Sequence, residues 1–438
     1  MSHEPVERRD AEAACAADGS GKPRLRDVLG PGLITGASDD DPSGIATYSQ
    51  VGAQFGYSLG WSLVVTYPLM TAVQMISARI GRTTGKGIAG IMREHFPRWL
   101  LVAVVLPLLV ANIINIGADL GAMADATRLI AGGPQLVYLV AFAVLSTALQ
   151  VFMRYERYVA LLKWLALVLL AYVATLMMVH IDWAEALYRL AVPELRFEQS
   201  YVVGLVAVLG TTISPYLFFW QASQEAADVK AMARRETLRS RPGQGAAALQ
   251  RIRLDTMIGM GISNLIALAI VLTAAATLHG HGVSDIETSA QAAEALRPIA
   301  GAAAEFVFAA GIVGTGLLSI PVLAGSAAYA VAETFKWRIG LDRKPGDAKN
   351  FYAVIALATL LGAALNLSPL NPIQALYWSA VLNGVVAVPV LVVMMLIAAR
   401  PAIMGRFTLT GWLRGLGWAT TVVMALAVVG MVATAFRG

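Results

Sequence analysis

Three consecutive aspartates stand inside the first long apolar segment of the chain, in the run Gly36-Ala37-Ser38-Asp39-Asp40-Asp41-Pro42-Ser43-Gly44. An aspartate at the centre of a bilayer costs roughly 2.5–3.5 kcal/mol, so such residues need a partner or a polar cavity. Pro42 has no backbone N–H to continue a helix, and it therefore predicts a break at this point. Carboxylates beside an unwound backbone indicate a cation site.

A second helix break is predicted at Thr211-Thr212-Ile213-Ser214-Pro215, inside the sixth apolar segment. Five segments separate the two breaks, so the second half of the chain would be inserted upside down relative to the first. Paired interruptions of this kind indicate the central site of a secondary transporter. The free carbonyls where each first half-helix ends would also favour a cation.

The predicted ligand set consists of oxygen atoms on both breaks. Asp41 supplies formal charge, Thr211 and Ser214 supply hydroxyls, and Gly44 leaves space for water. Such a hard set suits Mg²⁺, Ca²⁺ or Mn²⁺, and Mg²⁺ in particular keeps several of its waters. Two alternatives stay open: the hydroxyls could bond back to their own helix, and Gly44 could be a packing glycine.

Further polar residues inside the apolar segments are candidates for lining the ion pathway. Three of them on the third segment are spaced three and four residues apart, so they share one helix face. They could instead make polar contacts between helices, and the candidate on the tenth segment could make a packing hydrogen bond. The set comprises Asp39, Asp40, Asn112, Asn115, Asp119, Tyr216, Gln221 and Asn383.

The composition is that of a polytopic, all-helical membrane protein. Of 438 residues, 57% are hydrophobic and 14% are charged, and the mean hydropathy is +0.65; both values are typical of integral membrane proteins. Eleven apolar runs are predicted to span the bilayer, namely 28–55, 58–78, 99–124, 135–151, 158–179, 201–222, 254–278, 302–332, 351–365, 374–398 and 412–436.

The distribution of charge predicts the orientation of these spans. Lys and Arg concentrate in alternate loops, which places the amino terminus in the cytoplasm and the carboxyl terminus outside a bacterial-type inner membrane. Residues 1–27 are predicted to be a disordered tail and 28–438 the transport domain, with repeats at 28–180 and 201–400 and an extra helix at 412–436. The arginine-rich segment 228–250 is either a solvated connector or a regulatory segment. Because the basic residues follow the topology, the net charge of +5 does not indicate nucleic-acid binding.

The sequence lacks the residues that an enzyme acting within the membrane would need. The one cysteine, Cys15, lies in the polar tail and excludes an intrachain disulfide or a cysteine-rich metal site. The sequence has no HExxH motif and no histidine at predicted membrane depth, so an intramembrane hydrolase is disfavoured. No cofactor is predicted, and the oligomeric state stays open.

From residue 28 onward the sequence resembles the Nramp superfamily of divalent-metal transporters. The motifs that carry the resemblance are GPGLITGASDDDPSGIATYSQ in the first span, TTISPYLFFWQASQEA in the sixth and Leu254-Asp255-Thr256 at the start of the seventh. The resemblance implies a LeuT-type fold with a 5+5 inverted repeat, broken helices 1 and 6, and a metal ion as the transported substrate.

The departures from the family pattern narrow the prediction. The family's manganese and iron transporters have Asp-Pro-Gly-Asn and Met-Pro-His at the breaks, whereas this chain has Asp41-Pro42-Ser43-Gly44 and Ser214-Pro215-Tyr216, and Ala122 replaces a glutamate. The thioether ligand and the histidine tied to proton movement are therefore missing. The pattern is similar to the Nramp-related magnesium transporters. It predicts Mg²⁺ and Mn²⁺ transport without proton coupling. The alternatives are a proton-coupled Mn²⁺/Fe²⁺ carrier and an amino-acid transporter of the same fold.

Overall fold

The computed structural model describes residues 31–153, 167–231, 236–341, 343–368 and 371–436, and all regular elements within these ranges are helical. The predicted tail and the start of the predicted fifth span lie outside the described residues. The α-helices are α1 Pro31–Asp39, α2 Pro42–Phe55, α3 Gly60–Thr84, α4 Ile88–His95, α5 Arg98–Ala131, α6 Gln135–Phe152, α7 Leu170–Leu176, α8 Trp183–Ala191, α9 Gln199–Thr212, α10 Pro215–Ala231, α11 Gly245–Thr277, α12 Ser289–Glu294, α13 Arg297–Ala300, α14 Ala304–Phe335, α15 Lys349–Leu365, α16 Pro372–Ala398, α17 Pro401–Met404 and α18 Gly411–Ala435.

Both predicted breaks are present. The first separates α1 from α2 at Asp40 and Asp41, and the second separates α9 from α10 at Ile213 and Ser214. In each case a proline opens the following helix. Proline suits the first helical turn, where its missing N–H would have had no partner.

The number of membrane spans is not settled by helix length. Among the described residues, eight helical stretches are long and apolar enough to cross a membrane. The first predicted span is divided into pieces of 9 and 14 residues by its break, and α15 has only 17 residues. The fifth predicted span lies partly outside the described residues. The count of eleven therefore stays a prediction.

The broken helix formed by α9 and α10 lies at the centre of the bundle, since 94% of its most apolar 18-residue stretch is buried. By contrast, the corresponding stretches of α6 and α18 are 22% and 28% buried. These two helices expose large apolar side chains along their length, including Leu136, Val140, Val144, Val422, Leu426 and Val429. An exposed apolar surface of this kind is suited to lipid contact. The helix breaks are thus enclosed by protein, as irregular backbone at membrane depth requires.

One end of the bundle, which we call the basic face, carries the predicted inner loops. Arg82 at the end of α3 donates hydrogen bonds to the Glu236 carbonyl (2.7 Å) and to Gln244 Oε1 (3.0 Å). Arg79 donates to the Phe407 carbonyl at 3.0 Å, and Leu238 is fully buried. These contacts anchor the described part of the 228–250 segment to the bundle through Leu238 and Gly245, whereas most of residues 236–245 are exposed to solvent, so both the solvated connector and the regulatory segment stay open.

The opposite face is organised by Glu194 and Tyr201. The Glu194 carboxylate pairs with Arg189 and with Arg196, the latter at 2.9 Å. The Tyr201 hydroxyl donates to the Glu194 carbonyl and, at 3.2 Å, to the Ser58 carbonyl. These bonds join the segment before α9 to the loop after α2. Loops that the charge pattern assigns to one side of the membrane do meet at one end of the bundle.

Candidate functional site

Asp41 lies between the two halves of the first broken helix and caps the second half. Its Oδ1 accepts hydrogen bonds from the Gly44 amide (2.8 Å) and the Ser43 hydroxyl (2.6 Å). Aspartate is a favoured N-cap residue because its side chain satisfies amides that the first helical turn leaves free. The local sequence Asp-Pro-Ser-Gly therefore both breaks the helix and fixes the carboxylate.

The second oxygen of Asp41 is reached from the other broken helix. The Tyr216 hydroxyl donates to Asp41 Oδ2 at 3.1 Å, and Asp41 is 1% exposed. The Ser43 backbone amide is a further hydrogen-bond donor to this carboxylate. Each carboxylate oxygen can accept about two hydrogen bonds, and Tyr216 is the donor seen at Oδ2, so Oδ2 is the oxygen better placed to bind a cation or one of its waters.

Asp39 and Asp40 point to a different partner. The Ser263 hydroxyl on α11 lies 2.6 Å from Asp39 Oδ2 and 3.2 Å from Asp40 Oδ1. Both aspartates are buried, and Asp39 Oδ1 has no hydrogen-bond partner in the described part of the chain. The triplet is thus divided: two acids face α11, and Asp41 faces the second break. The sequence gives no signal for Ser263 as a partner, because it lies 224 residues from Asp39.

The predicted ligands on the second break lie against the first. A Cβ built on Gly44 would lie 3.1 Å from Thr211 Oγ1 and 3.3 Å from Tyr48 Cε2, so Gly44 permits close packing of the two breaks, as its packing alternative predicts. The Ser214 hydroxyl donates back to the carbonyls of Gly210 and Thr211, both at 2.8 Å. The back-bonding alternative therefore describes Ser214 in this structure, and its hydroxyl oxygen offers only lone pairs to the site. Gly44 takes part through its amide, which donates to Asp41 Oδ1.

The polar face of α5 contacts α14. Asn112 donates to the Leu323 carbonyl at 3.0 Å, and Ser319 donates to Asp119 Oδ2 at 2.7 Å. These are the interhelical contacts that were left open as an alternative. Asn115 is also buried, and neither of its amide atoms has a partner among the described residues.

The two remaining pathway candidates lie on α10 and α16. Gln221 Oε1 accepts a hydrogen bond from Thr35, which ties α10 to α1. Asn383 is 1% exposed, and within the described ranges neither of its amide atoms is hydrogen-bonded. A buried amide without a partner is costly, so Asn383 is suited to contact a ligand or water.

Close backbone contacts shut the site from both ends. Toward the basic face, a Cβ on Gly36 of α1 would overlap the Gly259 carbonyl of α11. Toward the opposite face, a Cβ on Gly210 of α9 would overlap the Ala380 carbonyl and lie 2.6 Å from the Gly384 amide of α16. Small residues permit this approach of membrane helices. With Asp39 to Asp41 at most 3% exposed, the conformation is occluded.

Two acidic residues hold the basic-face end of the closed structure. Asp255 Oδ2 accepts the amide of Gly32 at 2.7 Å, at the start of α1, which is where an acidic group stabilises a helix. Glu225 is fully buried and receives two hydrogen bonds from Arg251 Nη2, at 2.8 and 2.6 Å. Sequence reasoning had marked Asp255 only as part of a motif. The pairing of Glu225 with Arg251 joins α10 to α11 and depends on the fold.

A family model described as natural resistance-associated macrophage protein-like, Nramp, matches residues 32–434. The chain belongs to the Nramp family. The curated relatives include a protein named divalent metal cation transporter MntH from Klebsiella pneumoniae subsp. pneumoniae, 27% identical over 407 residues and covering 91% of each chain. The MntH of Erwinia tasmaniensis is 30% identical over 305 residues, covering 67% of this chain and 69% of its own length.

Solved structures show the same fold. The Eremococcus coleocola manganese transporter aligns with a TM-score of 0.70 at 17% identity, covering 95% of this chain and 88% of its own. MhsT, solved with L-phenylalanine, aligns with a TM-score of 0.60 at 12% identity, covering 91% and 98%. This Nramp chain is therefore an all-helical integral membrane transporter of the LeuT type, and the relatives are named as transporters rather than enzymes.

Proposed function

We propose that this Nramp protein is a secondary transporter of divalent metal cations that prefers Mg²⁺ and also carries Mn²⁺. The observation that carries the proposal is the buried Asp41 carboxylate, held at the meeting point of the two broken helices with Tyr216 as the donor seen at Oδ2. Relatives named divalent metal cation transporter and manganese transporter support the metal as the transported substrate. The proposed site consists of Asp41, Gly44, Thr211 and Ser214.

The preference for Mg²⁺ follows from the chemistry of the donors. Asp41 already accepts hydrogen bonds from Ser43, Gly44 and Tyr216, so it would contact the ion at one oxygen or through water. Mg²⁺ loses water reluctantly and usually binds through one or two carboxylates. The proposed side-chain ligands, Asp41, Thr211 and Ser214, are all oxygen donors, and none of them is a soft ligand. We therefore infer that the ion crosses the occluded state partly hydrated.

Transport without proton coupling follows from the residues around the carboxylates. A phenol, Tyr216, donates to Asp41 where the family pattern implies a histidine, and a tyrosine hydroxyl has an ordinary pKa near 10. Asp119 receives a hydrogen bond from Ser319, and the position three residues later is Ala122. This leaves Asp119 without the neighbouring acid that a proton relay in this family would use.

One observation favours a proton-coupled Mn²⁺ or Fe²⁺ carrier as the second candidate. The Met123 sulfur of α5 and Pro42 Cγ both lie beside the missing side chain of Gly316. A thioether thus packs next to the break, although on another helix than the family pattern implies. Rotation of this flexible side chain toward Asp41 would add a soft ligand to the site.

The orientation belongs to the proposal as well. We place the basic face in the cytoplasm and the carboxyl terminus outside an inner membrane, since the described loops of the basic face carry most of the Lys and Arg residues. The repeats would comprise 28–180 and 201–400, with α18 as an addition. Alternating access would separate α1 from α11 on the cytoplasmic side and α9 from α16 on the outer side.

Purified protein in liposomes, loaded with an internal pH dye, tests the function. Fluxes of Mg²⁺, Mn²⁺ and Ca²⁺ are measured in parallel for wild type, Asp41→Asn and Asp125→Asn. Asp125 is the control because it lies near the outer end of α5, where it accepts a hydrogen bond from the Ser289 hydroxyl at 2.7 Å. We expect Mg²⁺ and Mn²⁺ flux without acidification, lost in Asp41→Asn and kept in Asp125→Asn. Absence of Mg²⁺ flux in wild type would refute the preference, and acidification that depends on the metal would favour the second candidate.

A further inference from the structure

A cavity of about 630 Å³ opens on the outer face, above the occluded site. It is lined by α2, α9, α16 and the loop between α11 and α12. Gln50, Val203 and Tyr377 lie six or seven residues outward of Gly44, Gly210 and Gly384 on their helices. At 1.5 Å per residue this places the cavity roughly 9–10.5 Å above the level of these glycines. A buried layer of Val206, Ala207, Ala380 and Val381 lies between the two levels on α9 and α16.

The lining of the cavity is suited to a cation. Amide and hydroxyl side chains share the lining with the apolar Val203, Ile286, Ile373 and Trp378, and Asp285 is the one charged residue among the described residues that line it. No Lys, Arg or His is among them. Amide and hydroxyl oxygens accept hydrogen bonds from water, so they could hold the hydration shell of an ion without replacing it. The polar lining includes Gln50, Gln54, Ser284, Asp285, Gln374 and Tyr377.

Asp285 is held at the cavity rather than carried on a free loop. The buried Gln50 side chain accepts the Ile286 amide at 2.8 Å and donates to the Ser284 carbonyl at 3.3 Å. Gln50 therefore forms hydrogen bonds with the residues on both sides of Asp285. Asn371, the N-cap of α16, donates to the Glu287 carbonyl at 2.8 Å. Residues of α2 and α16 thus fix the loop that carries the Asp285 carboxylate, at the outer end of the path to the helix breaks.

We infer that this cavity is an outer entry site for a hydrated divalent cation, with Asp285 supplying the charge and Gln50 positioning it. The inference rests on the proposed function, because it identifies the route by which that ion would reach the breaks. Water would remain bound to the metal here, and the first direct contact with the protein would come at Asp41. The entry site would thus attract the ion, and the occluded site would enclose it.

The test compares initial rates of Mg²⁺ uptake in liposomes at low and high ionic strength. A 2+ ion about 6 Å from one carboxylate in water gains up to about tenfold in occupancy, and salt screens such an interaction. For Asp285→Asn we expect KM to rise about three- to tenfold at low ionic strength, with unchanged maximal rate. The rise should fall below about twofold at 0.5 M choline chloride. Asp285→Glu should restore most of the affinity.

Glu185→Gln is the matched control, because Glu185 is an exposed outer acid on α8 and does not line the cavity. Gln50→Ala keeps the carboxylate but releases its loop, and we expect a smaller rise in KM. The entry site is refuted if wild type carries Mg²⁺ while Asp285→Asn has an unchanged KM, or the same KM as Glu185→Gln. If wild type itself carries no Mg²⁺, it is the proposed function that fails.

Discussion

The contact between Gly36 and Gly259 predicts that one methyl group will open the cytoplasmic side. In Gly36→Ala the new Cβ would overlap the Gly259 carbonyl and lie 2.7 Å from its Cα. Backbone atoms of a helix cannot rotate aside as a side chain can. Overpacking of this kind costs about 1–3 kcal/mol, which corresponds to a shift of about 5- to 150-fold between two states. We expect α1 to separate from α11 by that factor more often than in wild type.

Hydrogen exchange measured by mass spectrometry on residues 32–39 in lipid nanodiscs detects this opening. Amide exchange there should accelerate by about 5- to 150-fold, while exchange in α5 stays unchanged. Gly261→Ala is the matched control on α11, since a Cβ there would meet Tyr67 Oη at 3.4 Å, an ordinary contact. Unchanged exchange in Gly36→Ala, or equal acceleration in Gly261→Ala, would contradict the assignment of this contact as the cytoplasmic closure.

Two further predictions concern charged residues at the ends of the bundle. Arg251→Gln removes the arginine that pairs with the buried Glu225, so we expect the free energy of unfolding to fall by about 3–5 kcal/mol. Most of this loss should be recovered in the double variant with Glu225→Gln. Equal losses in the single and double variants, measured by unfolding, would argue against the pair. The hydrogen bond and charge of Arg196 lower the pKa of Glu194. The ionised Glu194 carboxylate should therefore contribute to stability above about pH 4.3, and this contribution should be lost as the pH falls through the lowered pKa. Melting temperatures of wild type and Glu194→Gln should converge in acid, and a constant difference would refute this.

The helix breaks were predictable because their causes are local. Pro42 and Pro215 cannot continue the preceding helix, and Asp41 caps the helix that begins at the next residue. The same run of residues thus specifies the break and the orientation of one carboxylate. Composition likewise predicts a membrane protein, because the bilayer requires long apolar helices whatever their partners.

The partners of the polar residues were not predictable, because they come from distant parts of the chain. Helical periodicity placed Asn112 and Asp119 on one face, yet it could not show that this face meets α14 at Leu323 and Ser319. Similarly, nothing near Asp39 in the sequence points to Ser263, which lies 224 residues away. Such pairs form only when the helices pack.

The sequence by itself determined a helical membrane transporter with two broken helices and oxygen-bearing side chains at both breaks, because turns, caps and apolar lengths are properties of short segments. Tertiary structure decided that the Tyr216 hydroxyl, from the other half of the chain, donates to Asp41 Oδ2. It also decided that glycine contacts close the site on both sides and that Gln50 fixes Asp285 above it. These features depend on the distances between helices, which no single segment of the sequence specifies.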